Sequence, residues 1–136
     1  MKRTPAKVLF ACVHNAGRSQ IAAAFFNRLA DPLKARALSA GTQPAGRVHP
    51  EVVRAMQETG FDLNTAVPQL LTKELADGAN WLITMGCGES CPVVPGAKRD
   101  DWPIDDPKGQ AIEHVRAIRD DIRDRVAAFI NSHGLR

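Results

Sequence analysis

The sequence predicts an α/β protein, a three-layer sandwich in which a four-stranded parallel sheet is flanked by helices. Residues Lys7–Cys12 form a nearly continuous apolar run, which is typical of a parallel strand buried on both faces. Strand and helix patterns then alternate along the chain, with room between strands for right-handed crossover connections. The 136 residues are 44% hydrophobic, enough for one core, so we expect a single domain over residues 1–136.

Local signals place the individual helices and strands. Asp31-Pro32 stops the first helix, and Pro50 is a favourable first residue for the second helix, which ends at Gly60. The last helix carries an apolar residue at every third or fourth position and so has one buried face. We predict strands at Lys7–Cys12, Ala35–Ala40, Trp81–Met85 and Lys98–Trp102, helices at Arg18–Ala30, Pro50–Gly60 and Gln110–Ser132, and a short helix capped by Thr72.

The stretch Cys12–Ser19 joins the first strand to the first helix and reads Cys-Val-His-Asn-Ala-Gly-Arg-Ser. A tight loop at this junction directs backbone N–H groups, together with the positive end of the helix, at one small cavity that favours a tetrahedral oxyanion. Arg18 can bind such an anion through two parallel hydrogen bonds. We predict that the oxyanion is bound by Val13, His14, Asn15, Ala16, Gly17, Arg18 and Ser19.

Cys12 is the predicted nucleophile of this site, because the same positive field favours a thiolate that can attack phosphate or a similar anion. Asn15 and Gly17 tolerate the left-handed backbone that such a loop requires. Ser19 can either cap the helix or donate a hydrogen bond to the sulfur of Cys12. A buried structural cysteine followed by an ordinary helix cap is the alternative interpretation.

Composition excludes several classes of function. The net charge of +3 and the absence of a basic run with interleaved aromatic residues argue against nucleic-acid binding. No apolar run approaches a membrane span and no signal-peptide core follows Met1, so we expect a cytoplasmic protein with its three cysteines reduced at rest. Neither a nucleotide-binding nor a dinucleotide-binding glycine motif occurs, and cysteine and histidine spacing does not indicate a metal site. We therefore expect no cofactor and no metal.

With these elements in place, the chain resembles the low-molecular-weight protein tyrosine phosphatase fold, and within it the arsenate reductases. The resemblance covers nearly the whole length. Its most specific pieces are Cys12 to Gln20, Ser39-Ala40-Gly41, Cys91-Pro92, and Trp102 to Pro107 with Gly109 close behind.

The resemblance implies roles for residues late in the chain. Asp106, which precedes Pro107, matches the general acid of these phosphatases, although its neighbour Asp105 stays an alternative. Thioredoxin-coupled arsenate reductases keep two redox cysteines where Cys87 and Cys91 stand. By resemblance, Cys12 attacks arsenate, Cys87 then releases arsenite by forming a disulfide with Cys12, and Cys91 moves the disulfide to Cys87–Cys91 for reduction by thioredoxin.

Other interpretations stay open at this point. The gap between Cys87 and Cys91 is shorter than the family usually has, so the register of Cys87 is uncertain. His14 can contact the oxyanion or face solvent. The chain has no tyrosine to grip an aromatic substrate, which favours a small inorganic anion over phosphotyrosine. The alternatives are a phosphatase, an arsenate transferase that uses a low-molecular-weight thiol and needs only Cys12, and a non-catalytic oxyanion sensor.

Overall fold

The protein, described here as a computed structural model, is structurally defined over residues 4–87 and 93–136. The strands are β1 (Ala6–Cys12), β2 (Ala35–Gly41), β3 (Trp81–Thr84) and β4 (Lys98–Asp101), and the helices are α1 (Arg18–Leu29), α2 (Pro50–Gln57), α3 (Lys73–Ala76) and α4 (Ile112–Ser132). All strands pair in parallel in the order β2-β1-β3-β4. The predicted α/β class with a four-stranded parallel sheet is confirmed.

β1 lies inside the sheet, and its side chains alternate between two hydrophobic clusters. Val8, Phe10 and Cys12 join the larger cluster, which is formed mainly with buried residues of α1, α2 and α4. Leu9 and Ala11 join a smaller cluster on the opposite face, with contributions from α3 and from the segment before β4. The second, smaller cluster also contains Cys87.

The apolar stripe of α4 is part of the core, as its spacing predicts. Val115, Ile118 and Ile122 are among its buried residues, and the stripe continues to Phe129. α4 packs on α1 and α2. Since the stripe is used inside the molecule, it is not a surface for a partner helix.

Boundaries differ from the predicted ones by one to three residues. The largest difference is at α2, which ends at Gln57 before a turn closed by Gly60 with φ of +89°. β4 is fully exposed and highly charged, which suits an edge strand, and the Thr84 hydroxyl donates to the carboxylate of its Asp101. Thr72 caps α3 as predicted, accepting from the Leu75 N–H at 3.1 Å.

Within the described part of the chain, no helix is both long enough and apolar enough to cross a membrane.

Candidate active site

The loop between β1 and α1 is held from outside through its carbonyl groups. The carbonyls of Cys12, Val13 and His14 accept hydrogen bonds of 2.8–3.2 Å from backbone N–H groups that follow β2. Further along, the carbonyl of Ala16 accepts from the His49 N–H at 3.0 Å, and that of Asn15 accepts from the Gln20 side chain at 3.1 Å. The loop carbonyls are therefore engaged with the surrounding protein.

The backbone N–H groups of the same loop point the other way. A trans peptide is planar, so each N–H is directed opposite to the carbonyl of the same peptide group. No backbone N–H from Val13 to Ser19 donates a hydrogen bond to any residue among 4–87 and 93–136. Buried N–H groups without a partner are rare in proteins, and several converging ones form an anion-binding site. These N–H groups could accept an anion, and the oxyanion loop expected from the sequence stays a prediction.

Cys12 lies at the inner end of this loop with its sulfur in a defined hydrogen-bond chain. It is a free cysteine, almost fully buried, and its Sγ lies 2.8 Å from the Ser19 Oγ. The Ser19 oxygen also accepts from the Asn15 Nδ2 at 2.8 Å. Because an amide nitrogen can only donate, the single hydroxyl proton of Ser19 is available for the sulfur. Of the two roles predicted for Ser19, the structure shows the hydrogen bond and not the helix cap, since Gly17 occupies the N-cap position.

Asn15 organises the loop in the backbone conformation that was expected of it. It is fully buried with φ of +49°, and its Oδ1 accepts from the Gln69 N–H at 2.9 Å. For Gly17 the expectation of a left-handed backbone is wrong, since its φ is −143°. Gly17 is instead required for space, because a Cβ there would lie 2.8 Å from the Pro107 Cγ.

Gly41, at the end of β2, is a second position where the loop needs a glycine. A Cβ at Gly41 would lie 2.6 Å from the Val13 carbonyl oxygen and 2.9 Å from the Asn15 nitrogen. The loop backbone therefore rests directly on the end of the neighbouring strand, which explains why glycine stands there.

Arg18, the first residue of α1, is 92% buried and reaches toward the loop that follows β4. Its Nη1 donates to the Ile104 carbonyl at 3.0 Å, and its Nη2 lies 3.8 Å from the Asp106 Oδ2. The guanidinium therefore lies against the segment after β4 that carries the predicted acid.

The structure separates the two candidate acids, Asp105 and Asp106. The Asp106 carboxylate accepts from the Lys108 N–H at 3.0 Å and faces Arg18. The Asp105 carboxylate is 79% exposed and lies 3.5 Å from His114 of α4. Of the two, only Asp106 is placed beside Arg18.

Cys87 follows β3, the neighbour of β1, at the same edge of the sheet as Cys12. Its Sγ lies 3.8 Å from the carbonyl oxygen of Ala11, the residue before Cys12. Cys87 is buried and disulfide-bonded, whereas Cys12 is a free thiol. Cys91, the other predicted redox residue, lies outside the described residues, as does the Cys91-Pro92 match.

His14 and His49 form a pair at the outer side of the loop. Their ring centroids are 6.4 Å apart, and the His14 Nδ1 lies 3.1 Å from the Gln43 carbonyl oxygen, which ties this ring to the loop after β2. Burial lowers the pKa of His49 below 6.5, although nearby Glu51 and Asp106 oppose the shift. The outer rim of the site therefore carries a histidine whose neutral form is favoured.

Sequence reasoning missed His49, Glu51 and Gln69 as parts of this region. The Glu51 carboxylate accepts from the Gly109 N–H at 2.9 Å and so fastens the segment after Asp106 to α2. These contacts join segments far apart in the chain, and no local pattern in the sequence signals them. Among the described residues, no group of three His, Cys, Asp or Glu side chains could hold a metal ion.

Comparisons with known proteins agree with this geometry. Residues 7–134 match the family described as low molecular weight phosphotyrosine protein phosphatase. A protein of Halobacterium salinarum is 42% identical over 123 residues, which cover 86% of this chain and 85% of that protein. A glutaredoxin arsenate reductase of Synechocystis sp. is 33% identical over 91% of this chain and 95% of its own length.

A solved structure is also similar over almost the whole chain. It is a thioredoxin-dependent arsenate reductase of Corynebacterium glutamicum, with a TM-score of 0.82 and 36% identity. The match covers 97% of this chain and 63% of that one, so the Corynebacterium chain extends well beyond the shared domain. The resemblance seen in the sequence is thereby confirmed, and the chain belongs to the low molecular weight phosphotyrosine protein phosphatase family.

Proposed function

We propose that this protein reduces arsenate to arsenite, with Cys12 as nucleophile and Cys87 and Cys91 as a disulfide relay regenerated by thioredoxin. The observation that carries the proposal is the position of two cysteines at one edge of the sheet, with the Cys87 sulfur 3.8 Å from the carbonyl of the residue before Cys12. An oxyanion loop needs one cysteine for attack. A second cysteine at the neighbouring strand end supports redox chemistry at the same site.

In the first step the Cys12 thiolate attacks arsenic(V) while Arg18 and the loop N–H groups bind the arsenate oxygens. A sulfur–arsenic bond forms, and one oxygen leaves as water after protonation. Asp106 is the proposed source of the proton, and the 3.8 Å between its carboxylate and the guanidinium of Arg18 supports this role. The hydrogen bond available from Ser19 favours the thiolate that this step requires.

In the second step the Cys87 thiolate attacks the sulfur of Cys12. The Cys12–Cys87 disulfide forms, the sulfur–arsenic bond breaks, and its electron pair stays on arsenic, which leaves as arsenite. Cys91 then attacks Cys87, which frees Cys12 and moves the disulfide to Cys87–Cys91.

Thioredoxin returns the enzyme to its starting state by transferring two electrons and two protons to the disulfide. The Corynebacterium neighbour is described as thioredoxin-dependent and the Synechocystis relative as a glutaredoxin enzyme, which supports a dithiol protein as the reductant. The cycle also needs a compartment that keeps thiols reduced, and we place it in the cytoplasm on that ground.

The test is arsenite production from arsenate with thioredoxin, thioredoxin reductase and NADPH. Cys12→Ser is expected to abolish turnover, and retained reduction by this variant would refute the role of Cys12. Cys91→Ser is expected to stop after at most one turnover, because Cys12 then stays locked to Cys87. Unimpaired multiple turnover by Cys91→Ser in this assay would refute the relay.

The role of Asp106 has a matched control in its neighbour. Asp106→Asn removes the acid that faces Arg18 and is expected to lower kcat by roughly 10²–10⁴-fold, the usual contribution of general acid catalysis. Asp105→Asn changes the same chemical group on a side chain that lies at His114, so near-normal activity is expected. Equal losses in the two variants would contradict the assignment.

Phosphate-ester hydrolysis is the second candidate, because the same geometry places a nucleophile, an anion clamp and an acid together. It predicts phosphatase activity that depends on Asp106 and survives a double Cys87→Ser/Cys91→Ser replacement. Arsenate reduction predicts the opposite dependence on the two cysteines. Comparing both reactions in that variant distinguishes the two functions.

A further inference from the structure

Gly86, the residue between β3 and Cys87, lies in direct contact with the anion-binding arginine. A Cβ added to Gly86 would overlap the Nη1 of Arg18 and would lie 3.0 Å from its Cζ and 3.2 Å from its Nη2. The three atoms nearest to that position all belong to Arg18. The guanidinium therefore occupies the space that any side chain at position 86 would need.

Arg18 cannot give way at position 86 without losing its other contacts. Its side chain is 9% exposed, and its Nη1 is the atom that donates to the Ile104 carbonyl at 3.0 Å. A methyl group at position 86 overlaps this same nitrogen. Since the end of a long side chain moves more easily than packed backbone, the guanidinium is the part expected to shift.

We propose that Gly86 is a positioning residue for oxyanion binding, and that it acts by leaving the space that the Arg18 guanidinium occupies. This inference rests on the proposed function, because it takes the Cys12–Ser19 loop as the anion site. It adds a residue that contacts no reacting atom itself and acts through Arg18. Gly86 also has φ of +93°, so a replacement there strains the backbone as well, and the test has to separate the two effects.

Gly78 provides a matched control for the backbone. Its φ is +75°, and a Cβ at this position meets nothing within 4 Å. Gly78→Ala therefore carries the strain of a positive φ without a contact to Arg18. A loss of anion affinity in Gly86→Ala that is absent in Gly78→Ala therefore points to the contact with Arg18 rather than to a positive φ.

The first measurement is the affinity for inorganic phosphate by isothermal titration calorimetry, which requires no turnover. Gly86→Ala is expected to raise Kd by about ten- to a hundred-fold, as for the loss of a charge-assisted hydrogen bond, while Gly78→Ala stays within about two-fold of wild type. Unchanged affinity in Gly86→Ala would overturn the inference alone. Failure of the wild-type protein to bind phosphate would count against both the inference and the proposed oxyanion site.

The second measurement tests whether Gly86 acts through Arg18. Cys12 is alkylated with anionic iodoacetate and, separately, with neutral iodoacetamide, and peptide mass analysis identifies the modified cysteine. The ratio of the two rates reports how much positive charge surrounds the Cys12 sulfur. Gly86→Ala is expected to lower this ratio in the wild-type background and to have no further effect in Arg18→Ala. An equal effect in both backgrounds would overturn the proposal.

Comparing Gly86→Ala in the wild-type and Arg18→Ala backgrounds also tests the proposal if Gly86→Ala fails to fold. If Gly86→Ala unfolds because of overlap with Arg18, the double variant Gly86→Ala/Arg18→Ala is expected to refold, since the overlapping atoms are gone. Loss of stability of the same size in both backgrounds, matching that of Gly78→Ala, would show backbone strain only and would overturn the inference.

Discussion

Replacing Ser19 with alanine tests the hydrogen-bond chain behind the nucleophile. The variant removes an oxygen that is 2.8 Å from the Cys12 Sγ and 2.8 Å from the Asn15 Nδ2. A hydrogen bond to a charged group contributes about 1.5–3 kcal/mol, so the loss at the thiolate corresponds to a roughly ten- to hundred-fold fall in kcat/KM. The loss at Asn15 leaves a buried donor without its partner, which costs about 1–3 kcal/mol of stability.

Two assays separate these effects. Arsenate reduction in the thioredoxin system and alkylation of Cys12 by iodoacetamide report the thiolate, and urea unfolding reports stability. Thr72→Ala is the control, because it removes the cap of α3 and is expected to cost about 1 kcal/mol without changing Cys12.

A Ser19→Ala protein that is destabilised as expected but alkylates and reduces arsenate at the wild-type rate would refute the reasoning. Such a result would show that the hydroxyl only supports Asn15. A slowed enzyme with unchanged stability would instead show that Asn15 finds another acceptor. The proposal that Ser19 stabilises the Cys12 thiolate therefore depends only on the rates of alkylation and arsenate reduction.

Three further predictions concern the frame around the site. Hydrogen bonds from Arg116 and from a second arginine of α4 lower the pKa of Glu58 to about 2. The stability that Glu58 contributes to the folded state is therefore complete above its ordinary pKa of 4.5 and is lost as the pH falls toward 2, so the urea midpoint of Glu58→Gln should depend less on pH in that range than the wild-type midpoint does. Gly41→Ala forces overlap with the loop backbone and should lower stability by about 1–3 kcal/mol in urea, whereas Gly46→Ala, with open space around its Cβ, should not. Burial lowers the pKa of His49 from 6.5, so the stability that its neutral ring contributes to the folded state is complete above pH 6.5 and is lost as the pH falls through the lowered pKa. NMR titration of the ring should show a midpoint below 6.5.

The position of the loop between β1 and α1 and several of its contacts could be predicted from the sequence because their signals are local. A strand pattern, a cysteine, residues tolerant of unusual backbone, an arginine and a helix pattern follow one another without interruption. Each acts on its immediate neighbours, as the positive φ of Asn15 and the contact between Ser19 and Cys12 illustrate. Such features depend little on how distant parts of the chain pack.

The contacts that complete the site could not be predicted in this way. The sequence predicts that Gly17 adopts a left-handed backbone, but in the structure its lack of a side chain leaves room for Pro107, which lies far along the chain. Asp105 and Asp106 are adjacent, and nothing in their own sequence tells which faces Arg18. The Lys108 N–H donates to the carboxylate of Asp106, whereas the carboxylate of Asp105 lies near His114. These contacts decide which of the two faces Arg18.

The relation between Cys12 and Cys87 depends on strand order, which alternating strands and helices do not determine. Neighbouring strands lie about 4.8 Å apart, and a disulfide requires Cα atoms within roughly 4.4–6.8 Å. β3 pairs directly with β1, so a cysteine that follows β3 starts near the range needed to attack Cys12. A cysteine placed after β4 would start about one strand spacing further away and would need a larger backbone movement. The order β2-β1-β3-β4 therefore favours position 87 for the proposed relay, and a variant with this cysteine moved to the end of β4 is expected to lose thioredoxin-coupled turnover.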